Sequence, residues 1–359
     1  MSKSKKYDII FYTGRFQPFH NGHLATTLRA LEEADTLIIL LGSANRSSNI
    51  RNPWSADQRT AMIRSVLKEN NIPQERVRII PINDYPYNNE IWFSEVQAKI
   101  NTQATLLGLE DPKIALIGFK RDHTSFYLDN FPQWDYIEME EVQKINATEI
   151  RNAIFATSGY FSQHYLPDAL KNDMPFATIK WIEEFFEQER RHADQLRSEY
   201  SHVQKYKSAW ECAPYAPTFV TVDAVVIQAG HILLVQRGAA PGEGLWALPG
   251  GFLNPNERVI DGTIRELIEE TQIKVPEKVL RGSIKAKDYF DDPDRSLRGR
   301  TITFAHYFLL ESVPTGLPKI KGSDDAAKAK WIPLAEFKQM ESMMFEDHFH
   351  IAQTLVGNL

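Results

Sequence analysis

Apolar positions in the first half of the chain come as short unbroken runs at residues 9–12, 36–41, 77–82 and 114–118. Runs of this length read as strands buried on both faces. Between them apolar residues recur every three or four positions, which predicts helices at 24–33, 55–67 and 91–100. Ser55 followed by Gln58 has the form of a reciprocal helix cap. Strand and helix in alternation predict an α/β unit, a parallel sheet covered on both sides, and right-handed crossovers make it doubly wound. Ligands of such a fold sit beyond the carboxyl ends of its strands.

The pattern changes after residue 167. Trp181, Phe185 and Phe186 fall at helical spacing, a charged run fills 187–191, and a helical stretch continues to Trp210 before Pro214 and Pro217 interrupt it. The charged run reads as a solvated helix face. Strand patterns follow at 219–227, 232–236 and 246–248, then a charged helical segment at 265–273, a strand-rich stretch at 301–310 and a closing helix. That order predicts an α+β unit. The expected organisation is a first domain over 1–185, a helical connector over 186–216 and a second domain over 217–359, in keeping with a length of 359 residues.

Composition narrows the partners. A formal charge of -6 gives no basic footprint, so nucleic acid is not expected to bind. Cys212 is the only cysteine, which excludes an internal disulfide and points to a reducing compartment. The basic run Met1-Ser2-Lys3-Ser4-Lys5-Lys6 leads into a strand and a glycine turn, with no apolar core of a signal peptide, and no stretch is long enough to span a membrane. A cytoplasmic protein with small-molecule partners and no membrane contact is expected. The connector is suited either to pairing chains in a homodimer or to packing within one.

Two segments carry chemistry. The first is Gly14-Arg15-Phe16-Gln17-Pro18-Phe19-His20-Asn21-Gly22-His23, between the first strand and the first helix. Free N–H groups and the positive end of a helix dipole make such a turn a phosphate site. A lone histidine is more often structural, but His20 and His23 together in this turn are placed to hold a triphosphate while it reacts. The second is Glu266, Glu269 and Glu270, which share one helix face at spacings where like charges repel by roughly 0.2–0.5 kcal/mol per pair. Such a face suits a hard divalent cation that bridges to substrate phosphates, although an acidic surface helix is the plainer reading of the same string.

The first segment resembles the nucleotidylyltransferase signature in its nicotinamide-mononucleotide form. Asn146-Ala147-Thr148-Glu149-Ile150-Arg151 resembles the Ser-x-Thr-x-x-Arg element of the archaeal-type enzymes, with Asn146 at the serine position. Arg51-Asn52-Pro53-Trp54 with Arg59, and Asn88-Asn89-Glu90-Ile91-Trp92, are similar to that family as well. The resemblance implies a Rossmann-like domain in which His20, His23, Arg15 and Arg151 act on the phosphates of ATP. Gly14, Phe16, Gly22 and Thr148 would shape the ATP site. Arg51 and Arg59 would serve the mononucleotide, Trp92 would stack on its ring, and Asn89 or Asp84 would read its carboxamide. The plainer reading of Trp92 is a core aromatic.

Gly251, Glu257 and the run Arg265-Glu266-Leu267-Ile268-Glu269-Glu270 resemble the Nudix box, with Gln272 where that family has glycine. This implies a Nudix hydrolase with Glu266, Glu269 and Glu270 on the metal and Arg265 pairing with a carboxylate. Ser296-Leu297-Arg298-Gly299-Arg300-Thr301 is similar to the segment of Nudix domains that handle ADP-ribose, which implies binding roles for Arg298 and Arg300. Pro293 sits beyond the place where many such hydrolases carry a proline.

Taken over its whole length, the chain resembles bifunctional bacterial proteins that join these activities. One half makes NAD and pyrophosphate from ATP and nicotinamide mononucleotide. The other cleaves ADP-ribose to AMP and ribose 5-phosphate, with Mg²⁺ or Mn²⁺ expected in both sites. Two alternatives stay open: a C-terminal module that senses ADP-ribose or NAD without turnover, and a Nudix half that acts on another nucleoside diphosphate derivative. Adenylylation of another phosphorylated acceptor is a further variant for the first half.

Overall fold

In the N-terminal unit the apolar runs form the middle of a five-stranded parallel sheet. β1 (Tyr7–Gly14), β2 (Ala34–Leu41), β3 (Val77–Pro81), β4 (Ile114–Gly118) and β5 (Asp135–Glu138) lie in the order β3-β2-β1-β4-β5. The computed structural model describes residues 5–119, 128–139, 145–157, 166–314, 316–322 and 326–357, so Met1–Ser4 of the basic run lie outside it. The α-helices among the described residues of this part are α1 (Asn21–Glu33), α2 (Ala56–Glu69), α3 (Asn89–Leu106), α4 (Ala147–Ala156), α5 (Asp168–Asn172), α6 (Phe176–Gln188) and α7 (Arg190–Ser208). Two compact units divide between Arg197 and Ser198, inside α7.

Ile9 and Phe11 of β1, with Ile38 and Leu40 of β2, pack against Phe93, Val96 and Ile100 of α3. Their neighbours Ile10, Tyr12, Leu37 and Ile39 point the other way by the pleat and are buried too. Burial on both faces is what the unbroken runs demand. β1 lies between β2 and β4, and the crossovers depart from it in opposite directions, which opens a crevice at its carboxyl end, where Gly14 stands.

The C-terminal unit is a mixed sheet. β6 (Phe219–Gln228), β7 (His231–Arg237), β8 (Trp246–Ala247), β9 (Gly250–Phe252), β10 (Ile284–Phe290), β11 (Thr301–Leu309) and β12 (Ala326–Pro333) are ordered β10-β11-β6-β7-β12, with β8 on β7 and β9 on β6. Among the described strands of this sheet only the β11–β6 pair is parallel. α8 (Val259–Thr271) buries Ile264 and Leu267 against Ala224, Val226 and Phe308. α9 (Glu277–Gly282), α10 (Leu334–Phe337) and α11 (His348–Val356) complete it.

β5, β10 and β12 are absent from the sequence-based expectation, and each is the edge of its sheet. Their exposed positions carry charge, as in Ile284-Lys285-Ala286-Lys287-Asp288, so no apolar run marks them. Gln272 closes α8 at φ 47° in the left-handed region, the conformation for which glycine is preferred there. Among the described residues no helix is long and apolar enough to cross a membrane.

Candidate active sites

His20 is the N-cap of α1 and His23 is its third residue, so Gly22 lies inside the first turn and the turn proper is 14–19. The histidines form a reciprocal cap in which the His20 N–H donates to His23 Nδ1 at 3.2 Å. A neutral His23 therefore carries its proton on Nε2, a donor suited to a phosphate oxygen. The two rings stack 3.6 Å apart at 20°. Gly22 permits this, since a Cβ there would lie 3.2 Å from the His20 ring. Phe16, fully buried at φ 52°, sets its ring centre 4.7 Å from that of His23 in an edge-on contact. A Cβ on Gly14 would meet the Phe16 ring at 3.0 Å. Phe16 thus buttresses the imidazole pair, and its left-handed backbone is strain held at the site.

Arginines converge on this turn. Arg151, 5 % exposed, donates to Gln17 O at 2.8 Å and to Thr148 Oγ1 at 3.1 Å. Burial pushes its pKa down to about 9, with Arg15 and Arg51 adding repulsion. A buried cation next to two further cations is stabilised by an arriving polyanion. Arg59 is buried as well and spends its guanidinium on the carbonyls of Arg15, Gly42, Ser43 and Ser55. It fixes the strand ends around the crevice.

At the start of α4, Asn146 Oδ1 accepts from the N–H groups of Thr148 and Glu149, and its Nδ2 donates to Glu149 at 2.9 Å. The amide caps the helix as a serine would, and one of its two N–H donors is spent on Glu149.

The segment carrying Arg51 is tied down from several directions. Asn49 Oδ1 accepts from the N–H groups of Arg51 and Asn52, and Gln17 exchanges two hydrogen bonds with the backbone of Trp54. Ser48 donates to Pro53 O and lies 2.7 Å from His192 Nε2 in α7, so it accepts the imidazole proton. Nothing in the sequence marks Gln17 or His192 for these tasks. His192→Ala is expected to raise the KM for the mononucleotide about fivefold, the worth of roughly 1 kcal/mol of hydrogen bond, with kcat within twofold. Steady-state kinetics with that substrate varied checks this; equal falls in kcat would rule it out.

Asp84 accepts from Ser43 N–H and Arg46 Nε, both at 3.2 Å, which fixes its carboxylate beside the end of β2. Asn89 is exposed in the first turn of α3, after the cap made by Asn88. Trp92 is half-buried and packs at the rim of the core, edge-on to Phe93.

In the C-terminal unit the three glutamates part company. Arg265 donates to Glu257, Glu266 and Glu269 at 2.7–3.0 Å and to Phe252 O at 3.2 Å. Glu270 instead accepts from Gly250 N–H at 3.0 Å. The expectation that Arg265 holds one carboxylate is thus enlarged to three. Among the described residues no three carboxylates or imidazoles converge on one point. Even so, Glu266 is pushed up by burial, and Glu270 is pushed up to about 8 by burial with Glu266 and Asp223 repelling it. Buried carboxylate oxygens that repel one another are a donor set that fits a hard divalent cation. Gly251 is required beside them, because a Cβ there would stand 2.6 Å from the Glu266 carboxylate.

Arg298 lies with its guanidinium 5.0 Å from the Phe252 ring and lines a cavity with Glu270, Arg237, His348, His202 and Tyr206. Arg300 does not line it; its side chain pairs with Asp291. Tyr206 and His202 belong to a stretch that reads from sequence only as connector. The Glu199 carboxylate anchors that stretch by accepting from Gly242 N–H at 3.1 Å.

The cytidylyltransferase-like family model matches residues 11–153 and the NUDIX domain model matches 217–355. A nicotinamide/nicotinic acid mononucleotide adenylyltransferase of Acinetobacter baylyi is 32% identical over 185 residues, 51% of this chain and 89% of the relative. A crystal structure of a bifunctional NMN adenylyltransferase/ADP ribose pyrophosphatase from Francisella tularensis is 38% identical, covers 98% of both chains and has a TM-score of 0.90. The same relative complexed with AMP and a Mn ion superposes with a TM-score of 0.88 over the same share.

Proposed function

The chain belongs to the bifunctional NMN adenylyltransferase/ADP-ribose pyrophosphatase family, and from that membership we propose that it makes NAD in one unit and hydrolyses ADP-ribose in the other. The observation that carries the first activity is the guanidinium of Arg151, buried beside Arg15 and Arg51 at the end of β1. Adenylyl transfer asks the protein to position two anions and to absorb charge on the departing pyrophosphate, with little covalent chemistry. Nicotinamide mononucleotide attacks the α-phosphorus of ATP through its phosphate oxygen, and the bond to the β-phosphate breaks. Arg151 and the His20–His23 pair hold the β- and γ-phosphates, Arg15 bridges the reactants, and Arg51 holds the mononucleotide. Trp92 lends a ring face to the cationic pyridinium. Asp84 or Asn89 reads the carboxamide.

In the second unit Arg298 and Arg237 bind the diphosphate, and Arg265 orients Glu266 and Glu269. When bound to Glu266, Glu269 and Glu270, Mg²⁺ supplies charge neutralisation and a more acidic attacking water. The same ion accompanies ATP in the first unit. Cleavage of the diphosphate by water gives AMP and ribose 5-phosphate. The test is a paired assay on the purified chain, with ATP plus nicotinamide mononucleotide followed for NAD and ADP-ribose plus Mg²⁺ followed for AMP. Both products are expected. ADP-ribose that is bound but never cleaved would make the second unit a sensor and overturn that half of the proposal.

A further inference from the structure

A groove of about 440 Å³ opens over β10 and β11, and it shares no lining residue with the cavity of Arg237 and Arg298. The antiparallel register sets Lys287 opposite His306 and Tyr289 opposite Phe304. Residues two apart along a strand share a face, so these four side chains form one patch. Arg258, which precedes α8, joins the lining. Asp288 is the one acid in it and accepts from Tyr289 N–H at 2.8 Å.

His306 is the chemical centre of the patch. It is 5 % exposed, and its Nδ1 lies 3.0 Å from Thr263 Oγ1. Thr263 already donates its hydroxyl proton to Val259 O at 2.9 Å, so Nδ1–H is the donor of this pair and Nε2 is left as an acceptor. No described residue donates to Nε2. Burial and the neighbouring Lys287 push the imidazole pKa down to about 4, which keeps the ring neutral and the acceptor intact. Tyr289 is 59% exposed beside Phe304, an aromatic surface open to a planar partner.

An aromatic platform, a buried acceptor and two cations answer to the three parts of a nucleotide: base, amino group and phosphate. We propose that this groove is a second nucleotide site of the C-terminal unit. It takes a nucleotide with an amino-bearing base, stacked on Tyr289 and Phe304 and donating to His306 Nε2, with its phosphate on Lys287 and Arg258. Such a site binds without chemistry, because nothing in its lining faces a diphosphate with paired carboxylates.

The full chain labelled with ¹³C at histidine Cε1 tests this, with the His306 resonance assigned by its loss in His306→Gln. AMP is expected to shift that resonance saturably. Tyr289→Ala and Lys287→Ala, both on exposed side chains, are each expected to weaken the titration about tenfold, the order set by one stacked base or one phosphate contact. Glu269→Gln, in the hydrolase site, is expected to leave it unchanged. No shift with AMP overturns the proposal. So does an equal shift with inorganic phosphate alone, which would make the groove a simple anion site. A titration lost in Glu269→Gln would place the AMP in the hydrolase site and overturn it too.

Discussion

Replacing Arg151 with methionine is expected to lower NAD formation by about 10³-fold, the worth of a guanidinium that meets transition-state charge in a water-poor site. ADP-ribose hydrolysis is expected to stay at the wild-type rate. The size of the effect follows from burial: a cation 5 % exposed, pushed down to about 9 beside Arg15 and Arg51, would meet phosphate in a medium of low effective dielectric. Its bonds to Gln17 O and Thr148 are also lost, so the turn relaxes to some degree. Unchanged hydrolysis and an unchanged circular dichroism spectrum separate that relaxation from unfolding. His20→Ala is expected to lose about 10²-fold, as one donor removed from the phosphates. A variant lacking Arg151 that still forms NAD within tenfold of wild type would remove the arginine from the phosphate site.

How much of this could be read beforehand differs by element. The central strands of the first unit were legible because burial on both faces forces unbroken apolar runs, as at Leu37, Ile38 and Ile39. The edge strands were not, since β10 and β12 alternate lysine with small or aromatic residues and lack such a run. In the site, residues that bear charge at fixed spacing were legible: His20 with His23, and Glu257 through Glu270. What escaped was wiring through the third dimension. Gln17, His192 and Glu199 act through hydrogen bonds to residues 37, 144 and 43 positions away, and no local spacing encodes that. Arg59 shows the converse. Its place near the site agrees with its motif, while the four carbonyls it bonds lie in three separate stretches of chain that its motif does not mark.

Glu266→Gln is expected to lower ADP-ribose hydrolysis by about 10³-fold, because a lost metal oxygen forfeits several kcal/mol of charge stabilisation. NAD formation is expected to be untouched. Glutamine keeps the shape, so Arg265 still reaches Glu257 and Glu269, and the change reads the charge of one carboxylate. Gly251→Ala supplies an independent approach to the same atom. A Cβ 2.6 Å from the Glu266 carboxylate forces that side chain out of its place between Gly251 and Arg265, and a loss of the same order is expected with every charge retained. The two losses should not multiply in the double variant, since both act through the position of one carboxylate. Rates for the single and double variants at saturating Mg²⁺ check this. Additive losses would mean that Gly251 serves the substrate directly, and a Glu266→Gln enzyme as fast as wild type would move the reaction's charge stabilisation to Glu269 and Glu270.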